Sequence, residues 1–276
     1  MALIASDILF EGCDFISNDA DLGGGACFLD RYQTQSPVTF DGCNAFFRSC
    51  TFHDNEALQA GAMEIDAGSP TIVKCSFTEN RATSSSELTG GGAIKYYGHP
   101  PEGHGTSLVT IYNTDFLENH AHNLGGAIFS SKSQGLLMMN GLLALNTCGG
   151  NGAAIHYFGD PETAGMIVNT TIADNHASGA TGQPTIPGVN GETGGIYTDQ
   201  YVESGSLFIK NSILWGNTDE SSGTDTEEAQ LQNVVADAID VTYSCVQDLS
   251  QFAGTGNIGA DPEFQAGGYH LQGDSP

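Results

Sequence analysis

Four acidic residues each stand immediately before an asparagine, namely Asp54, Glu79, Glu118 and Asp174, and Asp19 and Glu56 immediately follow one. Carboxylates set in a row about 5 Å apart repel by roughly 1 kcal/mol per pair even in a water-like dielectric. Cations must offset this, either as a diffuse sodium atmosphere or as one or two calcium ions bridging carboxylates and backbone carbonyls. A second set is aromatic and imidazole: Tyr97, His99, His104, His156, Tyr157 and Tyr201, interspersed with Tyr96, Phe158 and Tyr197. Alternation along a strand points about half of these outward, as a platform for sugar stacking or a strip for protein contact. The plainer reading is ordinary strand aromatics.

Metal and catalytic readings fare less well. His120 and His176 hold equivalent places two repeats apart, about 10 Å in a stack of strands, whereas zinc ligands lie about 2 Å from one ion. Solvated turn histidines are expected. Of seven cysteines, Cys13, Cys50 and Cys75 form a column suited to small interior hydrophobes; disulfides stay open as an alternative, with Cys43–Cys50 the pair best placed. A lyase needs a base and a cation beside an acidic sugar. The seven basic residues are scattered, and a net charge of -26 repels polyanions, so no catalytic residue is assigned.

The chain repeats itself. Seven segments end in asparagine, at Asn18, Asn55, Asn80, Asn119, Asn146, Asn175 and Asn217. Eight residues before it stand Phe10, Phe47, Ile72, Ile111, Met138, Ile167 and Ile209; three before it stand Phe15, Phe52, Phe77, Phe116, Leu143, Ile172 and Leu214. Five before it come Cys13, Cys50, Cys75, Thr114, Gly141, Thr170 and Ser212, and two after it an alanine in five copies, with Cys148 and Asp219 in the others. A glycine-rich motif follows most copies, as in Gly90–Ile94 and Gly125–Ile128. Such columns mean one short coil per repeat, stacked about 4.8 Å apart, with like residues lying on like. Asparagine and glycine six before the marker suit a left-handed bend between strands. Polar loops are expected at Arg31–Ser36, Gly98–Gly105 and Gly179–Glu192.

Composition agrees. Glycine is 37 of 276 residues, roughly double the usual ~7%, without a collagen period. Seven Lys+Arg against 33 Asp+Glu exclude a phosphate track for nucleic acid and an anionic membrane surface. The longest apolar runs, Leu136–Met139 and Leu142–Leu145, are far short of the roughly 18 residues of a membrane span. The opening Met1-Ala2 lacks a basic or apolar leader, which leaves a cytoplasmic chain or a targeting segment outside this sequence.

On these motifs the chain resembles right-handed parallel β-helix proteins. Phe15–Asn18, Phe52–Asn55, Phe77–Asn80 and Phe116–Asn119 read FxxN, and Gly91–Ile94 and Gly125–Ile128 read GGAI. The pair is similar to the repeats of polymorphic outer-membrane proteins, which are secreted surface adhesins. Asn211–Asn217, Val241–Gln247, Gly254–Phe264 and Gly268–Pro276 resemble the C-terminal region of choice-of-anchor surface β-helices. The pectin-hydrolase pattern of this fold is not matched: Gly103-His104-Gly105 and Asn113-Thr114-Asp115 occur in reversed order, without its Asp-Asp or Arg-Ile-Lys. The expectation is therefore an all-β, single-domain right-handed parallel β-helix of about 7–8 coils with loop insertions. Residues 1–248 form the repeats, and 249–276 a loop and strand segment closing the solenoid. The resemblance implies a non-catalytic secreted or cell-surface protein of bacterial type, structural, adhesive or glycan-binding. Its expected partner is a polysaccharide or a host or cell-surface protein, with no nucleic acid and no membrane insertion. The alternative is a carbohydrate-active β-helix, a polysaccharide lyase or glycoside hydrolase.

Overall fold

The computed structural model describes residues 2–4, 7–30, 32–33, 40–41, 43–66, 68–86, 89–97, 107–131, 134–158, 164–179, 193–199, 207–220, 226–235 and 237–276. The expected loops Gly98–Gly105 and, beyond Gly179 itself, Gly179–Glu192 lie outside these residues, as does most of Arg31–Ser36; there Tyr32–Gln33 pairs antiparallel with Phe40–Asp41.

Each coil gives one short strand to each of four sheets. In one coil these are Phe46–Arg48 (sheet B), Thr51–His53 (sheet C), Glu56–Ala57 (sheet D) and Met63–Asp66 (sheet A). Sheets A, B and C have eight strands and sheet D seven, all pairing parallel from coil to coil. At about 4.8 Å per coil the stack is about 34 Å long, a parallel β-helix.

The columns read in the sequence are the registers of these sheets. Phe47 pairs with Phe10 and Ile72 in sheet B, Phe77 with Phe52 and Phe116 in sheet C, and Ala82 with Ala57 and Ala121 in sheet D. The phenylalanines stack face to face, at 4.5 Å between Phe52 and Phe77 and 4.9 Å between Phe77 and Phe116. Strands this short need sharp corners. The residue six before the asparagine turns sheet B into sheet C at positive φ in every repeat, from Gly12 through Ser49, Lys74, Asn113, Asn140 and Asn169 to Asn211. A second left-handed corner sits one residue before the asparagine, at Ser17, Asp54, Glu79, Glu118, Leu145, Asp174 and Gly216.

Inside that second corner the asparagines form a ladder. Asn119 donates its backbone N–H (3.0 Å) and its amide Nδ2 (2.9 Å) to Asn146 Oδ1, and Nδ2 also donates to the Phe77 carbonyl. Its own Oδ1 accepts the same two donors from Asn80. The pattern runs from Asn18 to Asn217. From Asn55 onward, where the amides are buried, every one of their polar atoms is used, which is the condition for burying them.

The first corner carries a second ladder, and here the cysteines differ from expectation. Cys75 Sγ accepts the Cys50 N–H and donates to the Val73 carbonyl, as the hydroxyls of Thr170 and Ser212 do in their coils. Burial pushes the Cys75 thiol up to about 11, so it keeps its proton to donate. All seven cysteines are free, Cys43 and Cys50 included. These cysteines thus stand in for hydroxyls rather than serving only as small hydrophobes.

Between sheets D and A the glycines are forced: a Cβ on Gly61 would lie 2.4 Å from the backbone nitrogen of Arg81 in the next coil. At the C-terminal end a four-residue helix, α1 (Glu227–Gln230), replaces the eighth asparagine. Gln230 Oε1 accepts the Asn217 N–H and Nδ2, and its Nε2 returns a bond to the Asn217 carbonyl. Glu227 then holds the segment that follows, accepting the N–H groups of Ser250, Gln251 and Phe252. Burial raises its pKa, but these donors outweigh it and hold the carboxyl below its ordinary value.

Replacing Asn119 with Ala strands the two Asn80 donors inside the stack. The loss should be about 2–6 kcal/mol at 1–3 kcal/mol per orphaned buried group, read as a lowered midpoint in urea; an unchanged midpoint contradicts the ladder's role.

Candidate functional site

Side chains alternate along each strand of sheet A. Met63 and Ile65 join the core, while Glu64 and Asp66 face out. Register stacks the outward position of successive coils into one row: Phe28, Glu64, Lys95, Phe129, His156, Tyr197 and Gln232. This row faces away from the core cluster and yet is largely shielded from water, with Phe129 at 0%, His156 at 1% and Tyr197 at 4% exposure. Lys95 Nζ lies 3.2 Å from Glu64 Oε1 and also donates to Gln59 Oε1. Two coils further, the His156 ring lies between Phe129 (centroids 5.3 Å) and Tyr197 (5.1 Å). His156 Nε2 is 3.5 Å from an Asp199 carboxylate oxygen, and neither ring nitrogen has a hydrogen-bond partner among the described residues.

Of the aromatic set expected to face out, Tyr97 is half-buried at the end of its strand beside the row. His156 is in the row but enclosed. Tyr157 is a correction: it points inward, fully buried with Tyr96 in the core, because the strand Ile155–Tyr157 carries its outward position at His156. His99, His104 and Tyr201 lie outside the described residues. Glu64, Lys95, Phe129 and Asp199 were missed. The first three were legible as the residue following each glycine-rich motif, a column not previously drawn; Asp199 only the fold brings to His156.

Asp54, Glu79, Glu118 and Asp174 occupy the second left-handed corner, exposed and at φ between 53 and 57°. The row is not uniform. Asp54 accepts the Ser17 hydroxyl, Asp174 accepts the Tyr269 hydroxyl of the C-terminal segment, and Leu145 interrupts between Glu118 and Asp174. Burial, and then the Asp174 carboxylate, push the Tyr269 hydroxyl well above its ordinary value. Among the described residues no three His, Cys, Asp or Glu side chains converge on one point. On sheet D, His120 and His176 are separated by Thr147, as their spacing required. Nδ1 of each meets a threonine hydroxyl of the next coil at 2.8 Å. Burial foremost, then the nearby Arg81 and His122 charges, lower the His120 pKa.

Stacked coils, an amide ladder and one shielded outer row define a parallel β-helix repeat protein. Residues 113–131 match the Chlamydia polymorphic membrane protein (Chlamydia_PMP) repeat. They span the first corner, the Phe116–Asn119 motif and Gly125–Ile128, one near-complete turn of the solenoid. No curated protein and no solved structure matches the chain.

Three outcomes follow from this geometry. His156→Phe fills the same slot between two rings without the open nitrogens, so the melting temperature should hold or rise; a clear fall contradicts the unpartnered imidazole. Because His120 titrates lower folded than unfolded, the unfolded chain takes up a proton first, so its stabilising contribution is complete above the unfolded value near 6.5 and is lost as pH falls below it. His120→Gln should therefore flatten the decline in melting temperature between about pH 7 and 5. Sodium chloride and calcium chloride at matched ionic strength should raise the melting temperature equally; an excess for calcium would mark a specific site on Asp54, Glu79 and Glu118.

Proposed function

We propose that this protein is a secreted, bacterial cell-surface β-helix module that binds a polysaccharide or a partner's surface protein along the outer edge of sheet A, and performs no chemistry of its own. The observation that carries this reading is the open imidazole of His156, set between Phe129 and Tyr197 with Asp199 beside it. Partly exposed at the edge of this row stand Tyr97 and Asp199, an aromatic ring and a fixed polar group of the kinds a sugar requires. The match to a repeat of polymorphic membrane proteins supports a surface habitat. A stacked scaffold holds such a row rigidly, since each outward residue is fixed by two neighbouring strands.

A carbohydrate-active enzyme is the second reading. One observation favours it: the same outer row holds a cation–carboxylate pair, Lys95–Glu64, and an imidazole–carboxylate pair, His156–Asp199. Two coils, about 10 Å, lie between Lys95 and His156. A polysaccharide array read for both retention and released product separates the two. Binding that His156→Phe and Tyr97→Ala both weaken, with no product, is expected; released oligosaccharide that His156→Phe abolishes would establish the enzyme instead.

A further inference from the structure

The acids of this chain avoid the middle of one face, between Glu11 and Asp240 on the outer strands of sheet B. Six consecutive strands of sheet B are Phe46–Arg48, Thr71–Val73, Ser107–Tyr112, Gln134–Met139, Gly165–Val168 and Leu207–Lys210. Together with the corner residue after each, they contain no Asp or Glu and three of the seven cations, Arg48, Lys74 and Lys210. The rest of the chain carries all 33 carboxylates. Two outward rows run up this face. One stacks Phe46, Thr71, Thr110, Leu137, Met166 and Phe208; the other stacks Arg48, Val73, Tyr112, Met139, Val168 and Lys210. Phe46 is 36%, Met166 45% and Phe208 36% exposed, and Leu108 adds 38% beside the first row. Inward positions already fill the core, so these side chains stabilise nothing inside it.

We propose that this face docks an acidic amphipathic helix of a partner protein, lying along the solenoid axis. Charge selects the partner's sign: Lys74 has no ion pair among the described residues, and Lys210 rests over the Tyr243 ring, its ammonium 5.5 Å away, so both remain available to carboxylates. Arg48, bound to Glu11 at 2.6 Å, closes one end. Shape selects the helix. From Phe46 to Phe208 is five coil steps, about 24 Å, the length of about 16 helical residues. Two rows roughly 7 Å apart match the apolar side of a single helix. An extended strand would find no open ladder here, because these strands are paired on both sides. The footprint falls well short of the ~800 Å² per partner of a stable globular pair, which disfavours a second copy.

The test uses the whole chain and a fluorescent peptide of about 18 residues, helical, with Leu and Phe on one side and Glu on the other. Its Lys counterpart is the control, and fluorescence anisotropy is read at physiological salt. The Glu peptide should bind although protein and peptide are both anionic. Met166→Asp, and Lys74→Glu with Lys210→Glu, should each weaken binding by about tenfold or more, as loss of a central anchor does. Both variants change outward positions, so circular dichroism and melting temperature should match wild type. Hydrogen exchange should slow under the peptide only in sheet B. Binding of the Lys peptide alone, or Glu-peptide binding indifferent to the variants, overturns the proposal. So does a dimer, or flotation with phosphatidylglycerol vesicles, that Met166→Asp abolishes while the Glu peptide fails to bind.

Discussion

A single buried amide per coil ties this solenoid together. Each asparagine hands two donors to the oxygen of the next and accepts two from the one before, so coils are locked at the spacing of a β-ladder. An amide shifted out of line by one residue would leave buried donors open, at about 1–3 kcal/mol each. Register across all four sheets therefore follows from this corner. The hydroxyl and thiol ladder at the opposite corner does the same work more weakly, which is why Cys, Thr and Ser interchange there while asparagine persists at the other. Gln230 shows the constraint from outside: where the coil pattern ends, a helix delivers the one longer amide that can still reach Asn217.

Strict stacking also multiplies whatever stands at an outward position. Carboxylates at the second corner fall in a file because the left-handed corner before each asparagine stacks on the next, and Asp or Glu fills it in four repeats. With 33 acids against 7 bases, mutual repulsion is built into the surface. Segregation limits it: the acids crowd the corners and the coil ends, and the six middle strands of sheet B, between Glu11 and Asp240, carry none. A parallel solenoid thus separates its faces chemically, one acidic, one apolar and weakly basic, and one enclosing an imidazole beside a carboxylate.

That enclosed row on sheet A pairs its polar groups less completely than the ladders do. Glu227, by contrast, meets three backbone donors. His156 keeps both nitrogens open between two aromatic rings. Its Nε2 stands 3.5 Å from an Asp199 carboxylate oxygen.

Much of this was written in the chain. Phe52, Phe77 and Phe116, the asparagines and the alanines determine sheets, register and coil number by themselves, because each coil meets only its neighbours and like must lie on like. Lys74 and Asn113 likewise announced the first left-handed corner. The left-handed backbone of the second corner was not legible, since Asp54 and Glu79 carry no glycine or asparagine signal for it. Tertiary structure alone decided three matters. It set the inward aim of Tyr157, which depends on where the strand begins; it brought Asp199 to His156 across a coil; and it recruited Gln230 as a substitute asparagine. Each rests on contacts between residues whose separation in sequence has no fixed period, and a pattern reveals only what repeats.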